Sequence, residues 1–345
     1  MDLESLLPQV KSYVAEAPAP VLFEAIPDWN KAAPFAVTPL AQGEYNLNYL
    51  IQQRDVRWVL RANVASQLQL DAQIVYEYNA LSLLTASGVT PLPYGVDDSR
   101  EYLDYGVLAM EYLPGEPMDY RRDLEDAARL FSRVHAVEVP EEDNPLIVEK
   151  QPLTMTYEEC ARLLPVYLES ELADPELRDY LAQVLAWAEE ARHTERYFVE
   201  DPWPCIINTE VNSGNFIANR EAGTLHLVDW EKPLYGDPSQ DLSHFCAPMT
   251  TLWKTDYRMS AQTKEHFLNV YCSHTDDAHL RDTIHDRVRL RDPFNYLRGV
   301  SWSAMAYVTY QTGEHAVKNA DTFHKITQYM DLKFQRGLFD PYLDA

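Results

Sequence analysis

The segment Asn208-Thr209-Glu210-Val211-Asn212-Ser213-Gly214-Asn215 sets a carboxylate five residues ahead of an amide, and Asp229-Trp230-Glu231 begins fourteen residues further on (229 − 215). An acid, an amide and a second acid in that order are the groups that phosphoryl transfer uses. The chemistry asks little covalent work of a protein. It needs divalent metal on the phosphates, a cation beside them, and a carboxylate that orients the attacking hydroxyl. Asp229 follows the apolar run Leu225-His226-Leu227-Val228, which puts a hard carboxylate oxygen at a strand end, where it can hold Mg2+. Asn215 opens the preceding strand of the same hairpin, so its amide oxygen can approach the same ion. Glu210 lies on the loop that leads into that strand, where a substrate hydroxyl can arrive. Asp and Asn are also common at strand ends and turns for local reasons. It is the spaced set, not any one residue, that points to function.

The elements that must position these groups fall into two kinds. Residues 1–34 carry prolines at 8, 18, 20, 27 and 34 and read as a short helix and a loop. Residues 35–62 read as β structure: Phe35–Leu40, Leu47–Ile51 and Arg57–Arg61, with the turn Ala41–Asn46 between the first two. Ile74, Tyr78, Leu81 and Leu84 then recur at helical spacing and predict a helix over 70–86, stopped by Gly88 and followed by Pro91 and Pro93. Gly106–Leu113 reads as a strand that Pro114-Gly115 ends. Beyond it the pattern is mostly helical. Leu124, Ala128, Phe131 and Val134 share one face, and Asp174-Pro175 is an N-cap with Pro at the first helical position. Cys205–Ile207, Asn215–Ala218 and Leu225–Val228 are short strands, and helices follow over 262–273, 281–313 and 318–336. A β-rich segment before a mainly helical one predicts an α+β protein of two lobes with a ligand cleft between them. The expected divisions are an extension over 1–34, a first lobe over 35–113 and a second over 114–345.

On these residues the chain resembles the aminoglycoside phosphotransferase and choline kinase branch of the protein-kinase-like fold. That branch carries a His-x-Asp-x-x-x-x-Asn loop, then an Asp followed by an aromatic residue and often Glu. Asn208 to Asn215 and Asp229-Trp230-Glu231 are similar to the two, and Gly236-Asp237-Pro238-Ser239-Gln240-Asp241-Leu242 is similar to the family's Gly-Asp-Pro-x-x-Asp-Leu. The resemblance covers roughly residues 35–250 and is strongest over 206–242. It implies a small β-rich N-lobe, a larger helical C-lobe, ATP and Mg2+ as cofactors, and a small hydroxyl acceptor such as an amino alcohol, sugar or amino sugar. It implies Glu210 as the catalytic carboxylate and Asn215 and Asp229 as metal ligands. Asn208 stands where the family has His. Glu210 stands where it has Asp, an added methylene of about 1 Å of reach, and a displacement of that size can cost about 10²-fold in rate.

Kinases hold phosphates with a strand lysine paired to a helix glutamate. No lysine occurs between Lys31 and Lys150, and Arg61 stands at the expected place, in Val59-Leu60-Arg61. Alternation puts Val59 and Arg61 on one strand face, where Val59 can cover an adenine while Arg61 meets phosphate. Arg stays charged and binds phosphate bidentately. Glu77 is the expected helix partner; the alternative is that Arg61 and Glu77 are unrelated surface charges. Gly43 lies in the turn that would cover the phosphates. Met110, Glu111 and Leu113 read as the connector whose backbone would meet the adenine. Asp237 reads as a turn residue and Asp241 as a brace for the loop. Trp302, Tyr307 and Tyr310, on a late helix, are either ordinary core or a cage for an ammonium group.

Composition excludes several other classes. With 29 basic and 54 acidic residues the net charge is −25 over 345 residues. Nucleic acid and anionic membrane are therefore poor partners, while a cationic acceptor is accommodated, as is plain solubility. Cys160, Cys205, Cys246 and Cys272 form no Cys-x-x-Cys pair, and neither a signal peptide nor a long apolar run is legible, so a cytoplasmic protein with reduced thiols is expected. His-Glu-x-x-His, Gly-x-Ser-x-Gly and Gly-x-Gly-x-x-Gly are absent. The expectation is an ATP- and Mg2+-dependent phosphotransferase acting on a small-molecule hydroxyl. The alternatives are a non-catalytic nucleotide-binding protein with a regulatory role and, third, nucleotidyl transfer in the same pocket.

Overall fold

Five antiparallel strands, β1 (Ala36–Gln42), β2 (Asn46–Gln53), β3 (Val56–Asn63), β4 (Pro93–Asp97) and β5 (Gly106–Glu111), form a sheet in the order β1-β2-β3-β5-β4. The computed structural model describes residues 2–16, 20–43, 45–66, 68–140, 142–313 and 320–343. The chain divides into two compact units. One comprises Met1–Met118, Arg133–Ile147 and Gly214–Leu234; the other comprises Asp119–Ser132, Val148–Ser213 and Tyr235–Ala345.

In the first unit β3 is central and buried on both faces. Trp58, Leu60 and Ala62 alternate onto one face, where they join Leu6, Val10, Tyr13 and Val14 of the helix Leu3–Glu16 and Tyr49, Ile51, Val107 and Ala109 in one apolar cluster. Each Leu, Val or Ile of this cluster removed from water contributes about 1.5–3 kcal/mol, which is why the N-terminal helix is docked. The opposite face carries Val59 and Arg61. The helix Gln73–Leu84 supplies Glu77 and runs into a 3-10 turn, Thr85–Ser87, which Gly88 ends at φ 64, the left-handed conformation that glycine adopts at least cost. The strand β4 is absent from the sequence reading, because Pro91 and Pro93 read as loop. Pro93 begins an edge strand, where its missing N–H breaks no ladder. Strand β5 stops at Glu111, not at Leu113. A second sheet joins β6 (Glu116–Pro117) to the hairpin β8 (Phe216–Asn219) and β9 (Thr224–Leu227). Asn215 lies in a 3-10 turn, Ser213–Asn215, just ahead of that hairpin rather than inside its first strand.

The second unit is mainly helical. Its core gathers Leu153, Tyr167, Leu181, Val184, Phe294, Leu297, Val300 and Phe339 from the helices Pro152–Leu163, Pro165–Leu168, Pro175–Ala191, Ala278–Thr312 and Leu332–Leu343. The Asp174 side chain caps Pro175–Ala191 by accepting from the N–H groups of Glu176 and Leu177. One expected helix over 318–336 is two, Ala320–Tyr329 and Leu332–Leu343, because Asp331 accepts from Phe334 N and starts a new helix. Positions 318 and 319, like Pro18, lie outside the described residues. Strand β7 (Cys205–Ile207) is wholly buried and leads directly into Asn208. No described helix is long and apolar enough to cross a membrane.

Candidate functional site

The first unit assembles one cation among three acids. Arg61 Nε lies 3.0 Å from Glu77 Oε2, and Arg61 Nη2 lies 2.5 Å from Asp229 Oδ1 and 3.5 Å from Glu231 Oε2. The guanidinium is 6 % exposed and Glu77 is 2 % exposed, whereas Asp229 keeps 32 % of its side chain open to solvent. A planar fork with several donors suits such a cluster where an ammonium point charge would not. Burial works against the Arg61 charge, but Glu77, Asp229 and Glu231 outweigh it and raise the pKa above the usual arginine value. Burial also pushes Glu77 up to about 7, with Asp229 adding to the rise and Arg61 and the Trp230 N–H opposing it.

The hairpin aims Asp229 at this cluster. Asn215 O accepts from Val228 N at 2.8 Å, closing β8 on β9 just ahead of the acid. The Trp230 ring is fully buried, and its Nε1–H donates to Leu227 O at 2.9 Å. Between them Asp229 adopts φ 64, a left-handed conformation that Asp tolerates better than most residues. Such strain costs on the order of 1–3 kcal/mol and concentrates at functional positions.

Sequence reasoning named Arg61, Glu77 and Asp229, and the structure brings them together. Asn215 stands at the foot of the same hairpin. Val59 is buried on the Arg61 face, paired in register with Met110 of β5. Met110 and Glu111 belong to the strand rather than to a free connector. Glu111 N donates to Leu92 O at 2.8 Å, and its carboxylate accepts from Leu92 N at 3.2 Å, so that N–H is committed within the sheet. Leu113 lies beyond the strand and is buried. Gly43 N donates to Asn46 O at 2.9 Å in the β1–β2 turn; a Cβ there would meet only ordinary contacts, so neither space nor backbone demands glycine. Asn46, Asn63 and Gln73 were not read from sequence. Asn46 Nδ2 donates to Glu231 Oε2, Asn63 Nδ2 donates to Asn46 Oδ1 at 2.9 Å, and Gln73 Nε2 donates to Glu231 O at 2.6 Å. Only the Glu of Asp229-Trp230-Glu231 carried a signal, as part of that motif.

The second unit holds the loop that bears Glu210. Asn208 and Thr209 are buried, and Thr209 sits at φ 71. The Asp241 carboxylate accepts from Asn208 N at 2.7 Å and Thr209 N at 2.8 Å, while Asn208 Oδ1 accepts from Glu210 N at 3.0 Å. Thr209 O accepts from His244 Nδ1 at 2.9 Å and Arg298 Nη1 at 3.3 Å, and Arg298 Nε meets Glu159 at 2.9 Å. Burial, and then Arg298, push His244 down to about 4. Asp237 is not only a turn residue: it caps Ser239 N and pairs with the buried Arg287 at 2.6 Å. Tyr307 and Tyr310 stack on Phe323, and Trp302 meets Trp253 edge-on; Trp302, Tyr307 and Tyr310 are all half-buried on the helix Ala278–Thr312. His244, Arg298 and Glu159 carried no local signal, since they lie 35, 89 and 50 residues from Thr209.

Among the described residues no three His, Cys, Asp or Glu side chains form a metal cage. Mg2+ rarely uses one; it takes one or two protein oxygens and completes its shell with phosphate and water. The partly exposed Asp229 carboxylate is an oxygen donor of that kind, and Asn215 stands just ahead of the hairpin that ends in it.

A β-sheet N-terminal region, a larger helical C-terminal region and these groups define a protein-kinase-like fold. A model of the phosphotransferase enzyme family matches residues 36–279, and the chain belongs to that family. Solved structures agree on the fold. A choline kinase from Cryptosporidium parvum matches at 15 % identity with a TM-score of 0.62, over 93 % of this chain and 95 % of that one. An ethanolamine kinase from Plasmodium vivax matches at 12 % identity with a TM-score of 0.60, over 87 % and 83 %. A spectinomycin phosphotransferase solved with ADP and spectinomycin matches at 12 % identity with a TM-score of 0.54, over 86 % and 89 %. No curated protein sequence matches the chain. At these identities the likeness carries the fold and not the substrate, but the resemblance read from residues 206–242 is borne out. Nothing favours the non-catalytic alternative.

Proposed function

We propose that this phosphotransferase moves the γ-phosphoryl group of ATP, with Mg2+, onto a hydroxyl of a small molecule: an amino alcohol, a sugar or an amino sugar. One observation carries the reading. A single guanidinium from β3 is held among Glu77, Asp229 and Glu231, acids from a helix and a hairpin far apart in sequence. A cation beside an accessible acid is the pair that a metal-bound triphosphate needs.

In this proposal Arg61, steadied by Glu77, meets phosphate oxygens, and Asp229 and Asn215 hold Mg2+, which neutralises charge on the phosphates when bound. Val59 covers the adenine, with the backbone after Glu111 as its polar edge. Glu210 orients the acceptor hydroxyl and receives its proton as the new O–P bond forms and the bond to the ADP oxygen breaks. The proton then passes to solvent. The free cysteines, three of them buried, support a reducing, cytoplasmic setting.

The test is ADP formation across a panel of amino alcohols, sugars and amino sugars, for the unsubstituted protein and Glu210→Gln. The amide keeps size and hydrogen bonding but cannot take a proton, so turnover should fall by about 10²–10⁴-fold with Mg·ATP affinity unchanged. Equal turnover in the two proteins would remove Glu210 from this role.

A further inference from the structure

Glu210 starts from a peptide plane gripped at both ends. Its N–H donates to Asn208 Oδ1, and the carbonyl of the same peptide, Thr209 O, accepts from His244 Nδ1 and Arg298 Nη1. Upstream, both N–H groups at 208 and 209 are taken by Asp241. Asp241 and His244 lie three residues apart, on one face of the helix Ser239–Cys246. Thr209 is β-branched and left-handed at φ 71, a conformation that persists only where its surroundings over-determine it. Turning that peptide would swing the Glu210 Cα–Cβ bond and carry the carboxylate with it.

We infer that His244, braced by Arg298 and Glu159, is the positioning residue for Glu210: it fixes the Thr209–Glu210 peptide from a neighbouring helix. The inference rests on Glu210 as the acid that receives the hydroxyl proton. Its chemistry is consistent. A neutral imidazole has one N–H, and a contact to a carbonyl requires it on Nδ1. Burial beside Arg298 keeps the ring neutral well below its ordinary range. Two helices thus meet one loop carbonyl, and a third, Pro152–Leu163, holds Arg298 through Glu159. Asn208 serves the other end of the same peptide, where its amide oxygen accepts from Glu210 N.

Two measurements on the full-length protein need no acceptor substrate. The 15N shifts of the His244 ring should show a neutral, Nδ1-protonated tautomer at pH 7; an Nε2-protonated ring overturns the inference. His244→Leu should displace the Glu210 amide resonance, and His244→Asn, which returns a donor near the Nδ1 position, should restore it. An unmoved amide in the leucine variant also overturns it. Should that variant not fold, the tautomer and the asparagine variant decide. With any acceptor that the panel identifies, His244→Leu should lower kcat about 10²-fold with KM for ATP unchanged, and His244→Asn should recover most of the loss. Equal kcat in His244→Leu removes the positioning role. Absence of turnover in the unsubstituted protein counts against the phosphotransferase reading alone, and leaves the tautomer and amide results to stand or fall by themselves.

Discussion

The Arg61 guanidinium is held by side-chain carboxyl groups, whereas the backbone ahead of Glu210 is held by side chains that bond its peptide groups. In the first case one guanidinium lies among three carboxyl groups, and the arrangement is set by charge. In the second, Asp241, Asn208, His244 and Arg298 satisfy consecutive peptide groups of a single loop, and the arrangement is set by hydrogen-bond geometry. Both include a strained left-handed residue, Asp229 and Thr209. The difference suits the two roles proposed for them. A cation that must meet phosphate has to exchange one set of oxygens for another, and charge pairing allows that. A carboxylate that must meet a hydroxyl at one place needs a fixed starting point.

The comparison can be broken at its charged end first. Arg61→Met takes from buried Glu77 the guanidinium that it shares with Asp229 and Glu231. Removing one partner from a buried pair costs about 3–5 kcal/mol, which thermal or urea unfolding would read. Raising the protonation of Glu77 by lowering the pH toward 5 should recover part of that loss, because a neutral acid no longer needs the partner. A stability unchanged by Arg61→Met would mean that the cluster is not held by charge.

The backbone-held end makes a smaller prediction. The folded His244 ring sits near 4 while a free imidazole sits near 6.5. Between those values the unfolded chain binds the extra proton, so stability rises with pH through that window and is lost as pH falls through it. Arg298, Glu210 and Asp241 are the charged groups that face the ring. Because the ring is partly exposed, the slope should amount to about 2 kcal/mol across the window rather than the full value of the shift. His244→Asn should flatten it. A slope of the same size without the imidazole would assign it to other groups.

How much of this was readable follows from distance along the chain. Asp229, Asn215 and Glu210 share one local stretch, and Arg61 and Glu77 sit on adjacent elements whose periodicities are clear, so each of these candidates was legible in the sequence. Asn46 and Gln73 meet Glu231 from 185 and 158 residues away. No spacing rule spans such a gap. The same is true of His244 and Arg298. The misread elements have local causes: Pro93 disguised an edge strand, and Asp331 restarted a helix inside an apolar pattern that runs on. The capping signal at Asp331 was present in the sequence; the strand at Pro93 was not legible, because proline there fits loop and edge equally well.

The account stands most directly on whether Asp229 serves a metal-bound nucleotide. Thermal unfolding of the unsubstituted protein and of Asp229→Asn, with ATP at about a hundred times its Kd and with or without Mg2+, measures it. A stabilisation of roughly 2.7 kcal/mol that needs Mg2+ and is largely lost in Asp229→Asn is the expected result. No stabilisation by Mg·ATP, or the same stabilisation in both proteins, would contradict it.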